Sequence, residues 1–342
     1  MTEGNLSQAQ GPVRPDAILD KASSFWVSAI LKAGSELDVF TEIAAGNDTV
    51  EKVASSIKAS ERGVRILLNA LCALGIISKA EGKYLLTPAA DQFLVKGKDS
   101  YVGYAIFTTL RDWDAVGRIA EAVKKGSPII GGYGAESEVW EEVAIGLTPS
   151  GLATGSIIGD VLGIGTKMEP GVKVLDIACG SGVYGYVLLQ RDPKAIVTDI
   201  DWQNVLKVAQ KVARDMGVAD RVTYKPGDML SIDYGEGEFD IAIVSNILQA
   251  FDPETNKTII SKICKALKPG GTVVINDILP DEERAKAIRP LIFAVYMLLV
   301  STGGDAYTLS EFESWLKETG FENVASHPVP GGTTLITATK SR

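Results

Sequence analysis

The residues Val174-Leu175-Asp176-Ile177-Ala178-Cys179 lead into Gly180-Ser181-Gly182, and a helical pattern at Tyr186, Val187 and Leu189 follows. This order describes a buried parallel strand, a turn whose backbone a ligand can approach closely, and a helix N-terminus. The chemistry lies in the acid. A carboxylate at a strand end suits hydroxyls or an amino group and repels a phosphate. Dinucleotide sites use G-x-G-x-x-G with the helix dipole aimed at a pyrophosphate. The spacing here is D-x-x-x-G-x-G, which sets negative charge where the ligand must be positive. A strand–turn–helix without any ligand is the competing reading.

Later strand ends repeat the theme. A second strand finishes at Asp199-Ile200-Asp201, about 25 residues on, where a carboxylate is placed for ribose hydroxyls. A third finishes at Gly227-Asp228-Met229, an acid able to accept from an adenine amino group beside a methionine able to pack on the ring. A fourth finishes at Ser245-Asn246. A single such acid is usually a solvated loop residue, but three in register are not explained that way. S-adenosylmethionine, with its α-ammonium, sulfonium, ribose and adenine, satisfies Asp176, Gly180, Gly182, Asp201, Asp228, Met229, Ser245 and Asn246 together.

The elements that must position these residues fall in an alternating pattern after Lys167. Strands are expected at 172–177, 195–199, 221–225, 239–244 and 272–277, with helices at 183–190, 204–216, 252–266, 288–300 and 310–319. Two closing strands follow near 324–326 and 334–338. Strands alternating with helices predict an α/β, Rossmann-like doubly wound parallel sheet over residues 166–342, with ligands beyond the strands' carboxyl ends.

Residues 1–15 read as a disordered polar tail without the basic and apolar regions of a signal peptide. Over residues 16–99, helical spacing from Ile18 to Ile30 is followed by three further helices, with Thr49 or Asp48 and Ser60 as caps, and by a hairpin turning at Ala80-Glu81-Gly82. Helices followed by a small hairpin make a winged-helix pattern. Its literal use is DNA reading, and Arg62, Arg65 and Asn69 lie on the candidate recognition helix. The surroundings are acidic, however, and no basic cluster supports that use. The aromatic-rich apolar face of the first helix favours a dimerisation domain, hence a homodimer. Residues 100–165 read as a helical linker whose tyrosines and tryptophans serve equally well as core or as the wall of an acceptor pocket.

Composition narrows the partners. A net charge of −9, from 43 acids against 34 bases, argues against nucleic acid. The longest apolar run, Leu291 to Val300, is far short of the ~20 residues that span a bilayer, so no membrane partner is expected. Cys72, Cys179 and Cys264 are widely spaced, form no metal pattern and fit a reduced cytoplasmic chain.

With these residues in hand, the chain resembles the S-adenosylmethionine-dependent O-methyltransferases of the caffeate and acetylserotonin type and their bacterial relatives, over nearly its whole length. The resemblance implies a class I methyltransferase fold behind a winged-helix dimerisation domain. It implicates Ala178 in the glycine turn along with Asp201, Asp228 and Met229, and it aligns Trp202 with a Leu-Pro, its ring against the adenosine. Ser245 stands where many members have lysine. After the fourth strand the family carries Leu-His-(Asp)-Trp-x-Asp, whose histidine takes the acceptor's proton. This chain reads Leu248-Gln249-Ala250-Phe251-Asp252. Of the two acids flanking that histidine in plant members, Asp277 matches one and Ala306 stands at the other. The sole histidine, His327, lies near the last strand and reads as a surface residue.

Glutamine hydrogen-bonds but takes up no proton near neutral pH. Gln249 therefore orients a small acceptor of aromatic or polyketide type, and transfer rests mainly on in-line positioning. Four routes stay open. The acceptor is already acidic; Asp277, Asp252 or a tyrosine is the base; the acceptor is carbon; or the chain binds the cofactor without turnover.

Overall fold

The computed structural model describes residues 14–98 and 100–342 and divides at Leu110/Arg111 into two compact units. The tail expected over residues 1–15 lies, up to residue 13, outside the described residues.

In the first unit the apolar run after Asp16 forms two helices, Asp16–Ser23 and Phe25–Glu36, where one was expected. The break has a local cause: the hydroxyls of Ser23 and Ser24 both donate to the carbonyl of Asp20, which bends the chain at that turn. Helices Val39–Ala44, Val50–Ser56 and Glu61–Ala73 follow, the last two capped as expected by Thr49 and Ser60. The hairpin pairs β1 (Ile77–Ala80) with β2 (Lys83–Leu86) around Glu81 and Gly82, both at positive φ as a two-residue hairpin turn requires. Phe40, Leu68, Leu71, Ile77 and Tyr84 fill the core. Asn69, a candidate base-reading residue, instead accepts a 2.8 Å hydrogen bond from the buried Tyr84 hydroxyl. Ile18, Leu19, Phe25 and Trp26 are all more than half exposed.

The second unit carries seven strands: β3 (Lys173–Ile177), β4 (Ile196–Asp201), β5 (Val222–Pro226), β6 (Phe239–Ser245), β7 (Leu267–Asp277), β8 (Phe321–Val329) and β9 (Thr333–Lys340). Their order is β5-β4-β3-β6-β7-β9-β8. The first five are parallel, as the alternating pattern predicts, but β9 runs antiparallel to both β7 and β8. The expectation of an all-parallel sheet fails at this edge because β8 and β9 are joined by a tight turn at Pro330-Gly331-Gly332, which permits only antiparallel pairing. Helices Val183–Arg191 and Gln203–Asp215 cover one face, and Pro253–Ala266 and Leu309–Glu318 the other.

The segment expected as a linker over 100–165 is divided between the units. Helix Gly103–Thr109 belongs to the first, whereas the 25-residue helix Glu138–Leu162 is part of the second. This long helix lies directly on Val183–Arg191 through glycines at every fourth residue. A Cβ on Gly151 would stand 2.3 Å from Val183 Cγ1, and one on Gly155 3.0 Å from Val187 Cβ. Such contacts leave no room for a side chain. Gly155→Leu is accordingly expected to destabilise the protein by about 1–3 kcal/mol in thermal melts, whereas Ala153→Leu on the exposed face moves the midpoint little.

Candidate active site

Parallel register sets Asp176 beside Asp199, and Asp201 lies on the same face of β4 two residues later. That face is covered by helix Val183–Arg191. Asp176 is therefore 1% exposed and lies beneath the helix, not at the open strand end where the sequence had suggested it. The Gly185 backbone faces its carboxylate, whose Oδ2 has no hydrogen-bond partner. Asp199 is equally buried and accepts a 2.5 Å bond from the Tyr186 hydroxyl. Neither Asp199 nor Tyr186 was singled out as a buried pair from sequence, although the two-residue spacing of Asp199 and Asp201 signals a shared face.

Asp201 stitches two turns together. Its oxygens accept from the Gly180 N–H at 2.8 Å and from the Trp202 N–H at 2.7 Å. Its own carbonyl accepts from the Gly227 N–H at 3.0 Å, which ties in the turn after β5. The glycine turn is left-handed at Ala178, Gly180 and Gly182, and a Cβ on Gly182 would strike the Tyr186 ring. None of the three carboxylates pairs with Lys or Arg among the described residues. Burial pushes Asp176 well up, the more so beside Asp199; it pushes Asp199 up to about 7, with Asp201 adding to the rise, and Asp201 up to about 6. A cation is the natural complement of this donor set. The orphaned oxygen of Asp176 and the close-packed glycine turn fit a ligand with an ammonium and a sulfonium.

Asp228 and Met229, expected from sequence at an adenine end, lie just beyond β5. Asp228 Oδ1 accepts from the Leu230 N–H at 2.9 Å. The Met229 carbonyl accepts from the Tyr234 hydroxyl at 2.7 Å and from Lys262 Nζ at 2.9 Å, with Lys262 over the Tyr234 ring. Trp202 is half-buried at the start of helix Gln203–Asp215. Ser245 Oγ accepts from the amides of Asn246 and Asn276, each at 3.0 Å, and the Asn246 amide also reaches the Tyr184 hydroxyl. Tyr184 and Asn276 had not been anticipated.

Beyond β6 the chain turns through a single 3-10 turn, Leu248–Ala250, that holds Gln249. Its backbone is gripped on both sides. The N–H faces the Asp277 carboxylate, and the carbonyl accepts from the Asp305 N–H at 3.0 Å. A Cβ on Gly304 would lie 2.5 Å from that carbonyl oxygen. Gln249 Oε1 is buried without a partner, as is Asp277 Oδ2, while Asp277 Oδ1 accepts from the Ile278 N–H at 2.8 Å. Burial pushes the Asp277 carboxyl up to about 7. Asp252 is a different case. Its two oxygens cap helix Pro253–Ala266 by accepting from the Thr255 N–H and hydroxyl, which holds its carboxyl below the usual range. An exposed cap with a depressed pKa is a poor proton acceptor, so Asp252 leaves the set of candidate bases. His327 lies on β8 against Thr337, away from Gln249 in the fold.

The fold is shared with known proteins. A methyltransferase domain family matches residues 168–315 and an O-methyltransferase dimerisation domain matches residues 19–96. The chain is 29% identical over 334 residues to the tetracenomycin polyketide synthesis 8-O-methyltransferase of Streptomyces glaucescens, spanning 96% of this chain and 97% of that protein. It is 27% identical over 336 residues to the 3-hydroxy-5-methyl-1-naphthoate 3-O-methyltransferase of Streptomyces sahachiroi, spanning 96% of each. The crystal structure of a candidate O-methyltransferase from Nostoc punctiforme superposes with a TM-score of 0.87 at 31% identity, over 96% of this chain and 100% of that one.

The buried acids set a pH dependence of stability. Their folded pKa values exceed the roughly 4 of an unfolded aspartate, so the folded chain holds more protons between about pH 4 and 7. Stability from these groups is present at low pH within that window and is lost as pH rises through the folded values. Melting of the ligand-free protein is expected to be higher near pH 5.5 than at pH 8 from this source, with a shallower slope in Asp199→Asn.

Proposed function

Since this chain belongs to the S-adenosylmethionine-dependent O-methyltransferases, we propose that it methylates a hydroxyl of a small aromatic or polyketide-type molecule, with Asp277 as general base and Gln249 as the residue that orients the acceptor. When bound, S-adenosylmethionine supplies an electrophilic methyl group on a positively charged sulfur. Asp201 and the turn Ala178–Gly182 are suited to its ribose and amino-acid portions, Asp228, Met229 and Trp202 to its adenosine, and Ser245 and Asn246 to the floor between cofactor and acceptor. Asp176 and Asp199 act from beneath as uncompensated negative charge.

One observation carries the assignment of the base: Asp277 Oδ2 is buried, free of any partner and adjacent to the Gln249 backbone, with its carboxyl at about 7. A group that titrates near neutral pH accepts a phenolic proton more readily than an ordinary carboxylate does. The acceptor's phenolic proton would pass to Asp277 as the bound cofactor supplied its methyl group to the acceptor oxygen. Gln249 Oε1, also unpartnered, accepts from a hydroxyl or amide of the acceptor and fixes its line of approach. Relatives named for tetracenomycin polyketide synthesis and for a hydroxynaphthoate support a polyketide-type aromatic acceptor.

The exposed apolar residues of the first two helices and the dimerisation-domain match support a homodimer. No helix among the described residues is long and apolar enough to cross a membrane, and a cytoplasmic site of action is part of the proposal.

Asp277→Asn should lower kcat by roughly 10²-fold or more with cofactor affinity unchanged in calorimetry. Wild-type kcat should fall as pH drops below about 7, and this acid limb should vanish in the variant. An unaltered pH profile in Asp277→Asn would sink the base assignment. Gln249→His should speed methylation of a simple catechol by adding a second proton acceptor beside Asp277. Light scattering should give twice the chain mass, and Phe25→Glu with Trp26→Glu should give monomers.

A further inference from the structure

The cofactor-binding residues assigned at the strand ends include three carboxylates and no cation. The amino-acid end of S-adenosylmethionine bears a carboxylate as well as an ammonium, and a hydroxynaphthoate bears a carboxylate too. We propose that Arg111 is the carboxylate-binding residue of this active site, an assignment that rests on the cofactor and acceptor reading above.

The Arg111 side chain is only 18% exposed, and its Nη1 is buried with no hydrogen-bond partner. Nη2 donates to Glu142, a half-exposed side chain that shares its charge with water. The adjacent Asp112 is already engaged, since it accepts from the hydroxyls of Tyr133 at 2.5 Å and Tyr296 at 2.7 Å. A buried guanidinium N–H without an acceptor is unfavourable, and native structures normally satisfy it. A carboxylate is the group whose geometry matches the free edge of the guanidinium.

Packing relates Arg111 to the cofactor turn. Its guanidinium lies 5.8 Å from the Tyr133 ring centre, and that ring meets Trp140 edge-on at 6.0 Å. Trp140 and Ala144 share one face of helix Glu138–Leu162, a single turn apart. The Ala144 Cβ is 3.7 Å from where a side chain on Gly180 would begin. The carbonyl of Ser137, which caps the same helix, accepts from Asn204, two residues beyond Trp202. The start of this helix thus meets the glycine turn at Ala144 and the Tyr133 ring, on which Arg111 lies, at Trp140, and Arg111 also reaches it through Glu142.

The experiment compares ligand pairs that differ by a carboxylate. Calorimetry of wild type, Arg111→Leu and Arg111→Lys would use S-adenosylhomocysteine against 5′-methylthioadenosine, which lacks the amino-acid tail. A second pair, titrated with S-adenosylhomocysteine present, would be 3-hydroxy-1-naphthoate against 2-naphthol. If the bound carboxylate is the cofactor's, Arg111→Leu weakens S-adenosylhomocysteine roughly 10- to 100-fold and leaves methylthioadenosine unchanged. If it is the acceptor's, only the naphthoate loses affinity by that factor. Arg111→Lys recovers part of the loss in either case. Equal losses within each pair, as a merely structural residue would produce, or no loss in any ligand, overturn the assignment. Failure of the wild type to bind S-adenosylhomocysteine would instead overturn the cofactor reading.

Discussion

Burying carboxylates without a counterion is the constraint on which this site depends. Water would solvate Asp176, Asp199 and Asp201 individually, but the sheet register gathers them on one covered face, where each raises the cost of ionising the others. The fold stabilises them with hydrogen bonds from Tyr186, Gly180 and Trp202, all donors from neighbouring turns and helices. The same bonds define the turns. Asp201 holds the glycine turn and the start of the next helix at once, and its carbonyl ties in the turn after β5. Electrostatic demand and backbone geometry therefore have a common source, and a cation entering above these acids meets a site whose shape is already set.

Much of this was legible in the sequence because it depends on local patterns. The alternation of apolar runs located the five parallel strands, and the polar residue types at their ends pointed to the turns that Asp201 draws together. What escaped was three-dimensional. Asp176 reads as a strand-end acid, yet side-chain alternation turns it under a helix. Asp252 reads as a second acid near Gln249, yet it lies just before Pro253 with Thr255 at the third helical position, a capping arrangement that consumes both oxygens. The antiparallel edge was hidden because strand direction is decided by the length of the β8–β9 connection, not by the composition of either strand. Arg111 carried no signal at all, since a lone arginine before Asp112 gains meaning only from its buried, unpartnered nitrogen.

The two halves of the site are built differently. On the cofactor side, side chains hold backbone turns; on the acceptor side, backbone holds one side chain. Gln249 is gripped by its N–H and carbonyl between Asp277 and the Gly304-Asp305 segment. That grip is indifferent to the side chain at 249, so residue type there can change without disturbing the turn that presents it. A different residue at 249 would then be a change of chemistry on an unchanged mount.

The glycine stripe of helix Glu138–Leu162 has a comparable effect on a larger scale. Because Gly151, Gly155 and Gly159 bring two backbones together without intervening side chains, the long helix and the one that follows the cofactor turn behave as a single rigid plate. An engineer seeking a new acceptor range would find that enlarging residues on this seam changes cofactor affinity as a side effect.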